Sequence, residues 1–320
     1  MQKRNEIKPS RRELRPDATA VVLASFVLLM TFKLISLLIT NKTVENILII
    51  PFQLVIFILP ASLCLWYKWK KDGKPALKGL RLRLPDLYQL PLMLSAALLL
   101  VCGNVLVSLI FAGTGSLENG FTLYNTFVSR NGGGFFETLY LVLAYAAVPA
   151  FCEELVFRAM LCKDFERYNV LSGIIASAIF FAMLHFDLSL FPVYFFSGIL
   201  LALTMYATGS VIASMAVHMA FNLTGLFGQP FLSAFYNITG GTGGLFVFIL
   251  LMLTILAAAL FCTFASKCYS IRSRHSNMPD RGILPPANQL TQIVSKIFIT
   301  PFSISAFAFY IAVLVITAIV

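Results

Sequence analysis

Seven residues fall into three short patterns with a shared four-residue step: Glu153-Glu154-x-x-x-Arg158, Phe181-x-x-x-His185 and His218-x-x-x-Asn222. All three lie inside stretches that are otherwise hydrophobic, and they hold two of the three histidines in the chain. Ionisable groups in hydrocarbon are costly unless paired or hydrated, so their presence there marks a functional site by default. Residues four apart share one face of a helix. Glu154 and Arg158 can therefore pair, with the acid N-terminal to the base, the better orientation. Glu153 is rotated ~100° from Glu154 and has no sequence-local partner. It is the freer carboxylate and the candidate general base, with a neighbouring histidine able to hold a water against it.

Phe181 can pack its ring beside the His185 imidazole and restrict its rotamers, and Ser177 continues the same stripe. His218 and Asn222 both carry hydrogen-bond donors, which a developing oxyanion requires in a water-poor site, and Ser214 extends their polar line. Each cluster also has a structural reading. The acids and Arg158 can form a buried ion-pair network, His185 an interhelical hydrogen bond, and His218 with Asn222 polar contacts between helices worth about 1 kcal/mol each.

The elements that must position these groups are membrane helices. The chain has 320 residues, 59% hydrophobic and only 12% charged, with a mean hydropathy of +0.86. That composition excludes an ordinary soluble globular protein. Apolar runs of ~20 residues span the hydrocarbon core as helices, whereas a barrel would show weak alternating segments. The expected spans are Ala18 to Thr40, Asn46 to Tyr67, Tyr88 to Ala112, Phe135 to about Cys162, Val170 to Phe186, Phe191 to Ala207, Val211 to Gly228, Gly244 to Ala265 and Ile297 to Val320. The fold class expected is all-α, a polytopic protein of about nine transmembrane helices. The first span is too long for a signal-peptide core and no small-residue cleavage pattern closes it, so it is expected to remain as an anchor.

The net charge of +10 gathers beside these spans. Basic residues precede the first (Lys3 to Arg15), follow the second (Lys68 to Arg83), follow the fourth (Arg158, Lys163, Arg167) and follow the eighth (Lys267 to Lys296). In a nine-helix layout all four groups fall on one side, which places the N-terminus in the cytoplasm and the C-terminus outside. Anionic lipid headgroups are the partners expected for this charge, and no nucleic acid. The six cysteines form no metal or redox motif and read as small buried hydrophobes.

Four regions are expected: a basic cytoplasmic tail over 1–17, N-terminal transmembrane helices over 18–134, a core over 135–228 that carries the three clusters, and C-terminal helices over 229–320. Gly113 to Gly134 reads as a flexible external loop, and Ser266 to Lys296 as a partly disordered cytoplasmic loop that separates the last helix from the rest. Lys33 lies near enough to the outer end of its helix to carry its ammonium to the interface. Pro51, Pro60 and Pro149 are expected to kink their helices, the last one turn before Glu153. By the helical rise, Glu153 lies ~14 Å from the end of its span, His218 and Asn222 ~10 and ~16 Å from the start of theirs. His185 lies ~22 Å along, so its helix must tilt or start later for the four to converge.

These clusters, in this order on successive helices, resemble the CPBP family, the intramembrane glutamic endopeptidases that include the CAAX prenyl protease 2 and bacteriocin-processing enzymes, also called the Abi group. The resemblance covers Phe135 to about Gly228. It implies an intramembrane protease in which Glu153 and His185 activate water, Glu154 and Arg158 support them, and His218 with Asn222 binds the oxyanion. It implies a protein or peptide substrate in or at the membrane, and a multi-pass protein of a bacterial plasma membrane. It leaves open CAAX processing against bacteriocin maturation or self-immunity. Because the family has also been described as metalloproteases, zinc held by Glu153, His185 and His218 is the alternative to a metal-free site, though no His-Glu-x-x-His helix is present. A transporter and a non-catalytic immunity or scaffold protein are the other readings, and no internal repeat supports the first.

Overall fold

The computed structural model describes residues 18–39, 42–72, 79–111, 134–166, 168–240, 244–275 and 290–319, and every regular element among them is helical. In chain order these are α1 (Ala18–Leu38), α2 (Lys42–Asp72), α3 (Leu90–Phe111), α4 (Phe135–Glu166), α5 (Val170–Leu184), α6 (Phe191–Thr208), α7 (Val211–Phe227), α8 (Gln229–Ile238), α9 (Gly244–His275), α10 (Leu290–Phe298) and α11 (Pro301–Ile319). The protein is a polytopic all-α membrane protein. Seven of these helices, α1, α2, α3, α4, α6, α9 and α11, are long and apolar enough to cross a bilayer, and α7 with α8 makes an eighth if that pair, bent by 68°, counts as one span.

Each of the nine expected spans has a helix in its place, but two fall short of a full crossing. α5 has 15 residues and α7 has 17, roughly 22 and 26 Å against a core of about 30 Å. Both carry site residues, and most of α5 is buried by its neighbours. A helix packed inside the bundle does not have to reach both lipid surfaces.

Two stretches differ from the sequence expectation. Residues 266–275 are not loop but the continuation of α9, and 290–296 belong to α10. Their polarity reflects helix ends emerging from the apolar zone rather than absence of structure. The last span is broken, α10 ending at Phe298 and α11 beginning at Pro301, where the Thr300 hydroxyl caps the Ser303 amide at 3.1 Å. α11 is not set apart, since it packs along α1. The expected N-terminal tail and the loop from 113 lie outside the described residues, apart from Gly134.

One face of the bundle collects the basic ends. The Ala18 amide donates to Asp164 Oδ2 at 2.9 Å, and Lys68 pairs with the same carboxylate at 2.9 Å, which joins the start of α1 to the ends of α2 and α4. Arg81 pairs with Glu166 at 2.9 Å, while Arg83 donates to the carbonyls of Gly209 and Thr208 between α6 and α7. The site lies beneath this face, where α4, α5, α6 and α7 meet.

α4 is not a uniform α-helix. Leu143–Ala147 and Leu155–Cys162 are wide π-helical turns on either side of the two glutamates. The first has an identifiable cause: the Val148 amide reaches back five residues to the Leu143 carbonyl, and Pro149 has no N–H with which to continue the series. The carbonyl left over is that of Ala144, and Gln53 Nε2 of α2 donates to it at 3.0 Å. In the second turn the Phe157 carbonyl accepts from Ser177 at 3.0 Å.

Candidate active site

Glu154 is the most enclosed group of the cluster. It is 0% exposed, and its carboxylate meets three partners: Arg158 Nε lies 3.2 Å from Oε2, the Ser214 hydroxyl donates to Oε2, and His218 Nδ1 lies 3.1 Å from Oε1. The four-residue pairing of Glu154 with Arg158 therefore forms as the spacing indicates, and Ser214 joins it one turn before His218. Arg158 is itself 1% exposed, donates from Nη2 to the Gly198 carbonyl at 3.3 Å and sets its guanidinium 4.5 Å from the centre of the Phe181 ring. Gly198 permits this because a Cβ there would meet the Ala178 backbone at 2.8 Å; only glycine lets α6 lie so close to α5.

Phe181 is the hub. Its ring is edge-on to His185 at 5.2 Å, to His218 at 5.7 Å and to Phe157 at 5.5 Å. It sits between the two imidazoles and beneath the guanidinium, so it restricts more than the one rotamer the sequence suggests.

His185 caps the C-terminal end of α5. Its Nδ1 lies 3.1 Å from the Phe181 carbonyl. A carbonyl only accepts, so Nδ1 carries the hydrogen and the neutral ring presents a lone pair at Nε2. One ring face is covered by Tyr194 of α6, stacked at 3.5 Å and nearly parallel. The sequence does not single out Tyr194: it sits in the run Phe-Pro-Val-Tyr-Phe-Phe with no spacing to mark it.

Glu153 points elsewhere from its neighbour. It is only partly buried, its Oε2 is enclosed without a hydrogen-bond partner among the described residues, and it lies within electrostatic reach of His218, Glu154, Arg158 and Tyr194. Asn222, also partly buried, donates at 3.5 Å to the Ala146 carbonyl of the first wide turn. This is a marginal bond, and the second amide hydrogen is left for other use.

All seven sequence-marked residues thus gather in one region. The mismatch between Glu153 and His185 narrows from the side of α4: that helix runs to Glu166 rather than Cys162, placing Glu153 roughly 20 Å from its end, comparable with the ~22 Å of His185 along α5. α5 starts at Val170 as expected, so a later start is not the explanation. Ser177 belongs to helix packing rather than to the site. Among the described residues no three His, Cys, Asp or Glu side chains are grouped so as to hold a metal ion.

In comparison with protein families, residues 135–224 fit the Rce1-like family, described as Type II CAAX prenyl endopeptidase Rce1-like. The interval holds every residue of the three clusters. That segment is similar to a CAAX-protease core. No curated protein and no solved structure matches the chain. The segment similar to the CAAX-protease family spans α4 to most of α7 and is under a third of the sequence. α1, α2, α3 and the helices from α8 onward lie outside it. Gln53 of α2, which fills the carbonyl released by Pro149, is one such outside contribution.

Proposed function

We propose that this protein is an intramembrane endopeptidase that hydrolyses a peptide bond of a membrane-associated or lipidated protein with water activated by Glu153. The observation that carries the reading is the contrast between the two adjacent acids: Glu154 has its charge and hydrogen bonds satisfied, while Glu153 has an enclosed, unpartnered oxygen within electrostatic reach of His218. Glu153 and the Nε2 lone pair of His185 are two acceptors. Together they hold both hydrogens of one water and turn its own lone pair toward a scissile carbonyl.

Attack forms the new C–O bond and passes the proton to Glu153. The oxyanion is met by Asn222 and by His218, the latter in its protonated form, in which both ring nitrogens donate and the Glu154 carboxylate on Nδ1 is the counter-ion. Protonated Glu153 then hands its proton to the departing amine as the C–N bond breaks, leaving a carboxylic acid, which keeps the other hydrogen of the water, and an amine. No metal takes part in this sequence. The basic face described above is the cytoplasmic one, with anionic headgroups at its rim and the N-terminus on that side.

The test is hydrolysis by purified protein in lipid nanodiscs of a farnesylated peptide ending in a CAAX sequence, run in ¹⁸O-water. Release of the C-terminal tripeptide with ¹⁸O in the newly formed carboxylate, undiminished by 1,10-phenanthroline, is the expected outcome. Loss of activity with chelator and its return with zinc would refute the metal-free mechanism. No cleavage of this or a panel of lipidated bacterial peptides would count against the protease reading.

A further inference from the structure

α5 stops in an unusual way. Phe186, directly after His185, adopts a left-handed backbone conformation with φ +50, a region that favours glycine because a Cβ is crowded there. Its amide closes on the Met183 carbonyl at 3.1 Å, and the His185 amide on Ala182 at 3.3 Å. Both bonds reach back three residues rather than four. The His185 amide therefore does not take the Phe181 carbonyl, the acceptor of a continuing α-helix. That carbonyl is instead the partner of His185 Nδ1. Stopping the helix at this residue is what gives the imidazole its tautomer.

The strained residue is held by its ring. Phe186 is 9% exposed and contacts Phe26 of α1 at 5.4 Å and Phe309 and Tyr310 of α11 at 6.2 and 5.6 Å, with Lys33 Nζ 6.0 Å from the ring centre. α1 and α11 both lie outside the segment matched by the family, at opposite ends of the chain, and pack against each other. We propose that Phe186 is a positioning residue for His185, and that α1 and α11 serve the site by clamping the Phe186 ring so that α5 ends where the Phe181 carbonyl is free for Nδ1. This rests on the role given to His185 above, and its test needs no substrate.

The chain has three histidines, so ¹⁵N-labelled imidazole signals in nanodiscs can be assigned by removing them singly. In the wild type His185 is expected as a single Nδ1-protonated form. Phe186→Ala removes the ring but keeps the Cβ, and should replace that signal by a mixture of tautomers; Phe26→Ala combined with Phe309→Ala should do the same without touching α5. Phe186→Gly loses the ring but permits the left-handed conformation, and should keep more of the Nδ1-protonated signal than Phe186→Ala. The His218 signal should stay unchanged throughout. An unaltered His185 signal in Phe186→Ala, a glycine variant no better than alanine, or an equal disturbance of His218 would each overturn the proposal. A positive result together with failure of the cleavage assay would leave the clamp standing and the protease reading in doubt.

Discussion

Two halves of one cluster are built on opposite principles. Around Glu154 the groups are enclosed and the carboxylate is satisfied: Arg158, Ser214 and His218 converge on one acid that water does not reach. Around Glu153, His185 and Asn222 the side chains are partly accessible and hydrogen-bonding capacity is left over. Under the proposed function, the difference is how a hydrophobic bundle would keep a reactive carboxylate: counter-charges gather on the neighbouring acid, and the other acid is left for a reacting water.

The largest effect should come from the satisfied half. Arg158→Ala strips the buried Glu154 of its charge partner, and losing one member of a buried pair costs about 3–5 kcal/mol. Yield and thermal stability in detergent should fall sharply; a variant as stable as the wild type would show that the network is not structural. Next, Asn222→Ala changes no charge and removes one oxyanion donor, so turnover should drop about 10²- to 10³-fold with folding and substrate binding retained. A rise in KM with unchanged kcat would instead make Asn222 a substrate contact. The smallest effect belongs to Tyr194. Its stack on His185 is worth about 0.5–1.5 kcal/mol, so Tyr194→Leu should slow turnover by up to about tenfold, and Tyr194→Phe should be close to wild type. A loss as large in the phenylalanine variant would assign the role to the hydroxyl.

The part of both halves that can be read from sequence is the part with regular spacing. Glu154 with Arg158, Phe181 with His185 and His218 with Asn222 are each one helical turn apart, and polarity against an apolar background made them visible. Tyr194 was not, because an aromatic in an aromatic-rich membrane helix carries no contrast. Gln53 was not either: it answers a carbonyl freed by Pro149, 96 positions later, and that link exists only once α2 lies against α4. The wide turns of α4 are a matter of hydrogen-bond register, to which hydropathy is blind. Lys267 to His275 misled in the opposite direction, since a polar composition describes equally a loop and the end of a helix leaving the membrane.

The central claim is that two adjacent glutamates have different jobs, and one paired measurement addresses it. Glu153→Gln and Glu154→Gln are purified into the same nanodiscs, and each is measured for thermal unfolding and for cleavage of the farnesylated peptide. The account predicts that Glu153→Gln unfolds like the wild type and has no detectable turnover, whereas Glu154→Gln loses stability at least as much as it loses activity. Full turnover by a folded Glu153→Gln protein would contradict it.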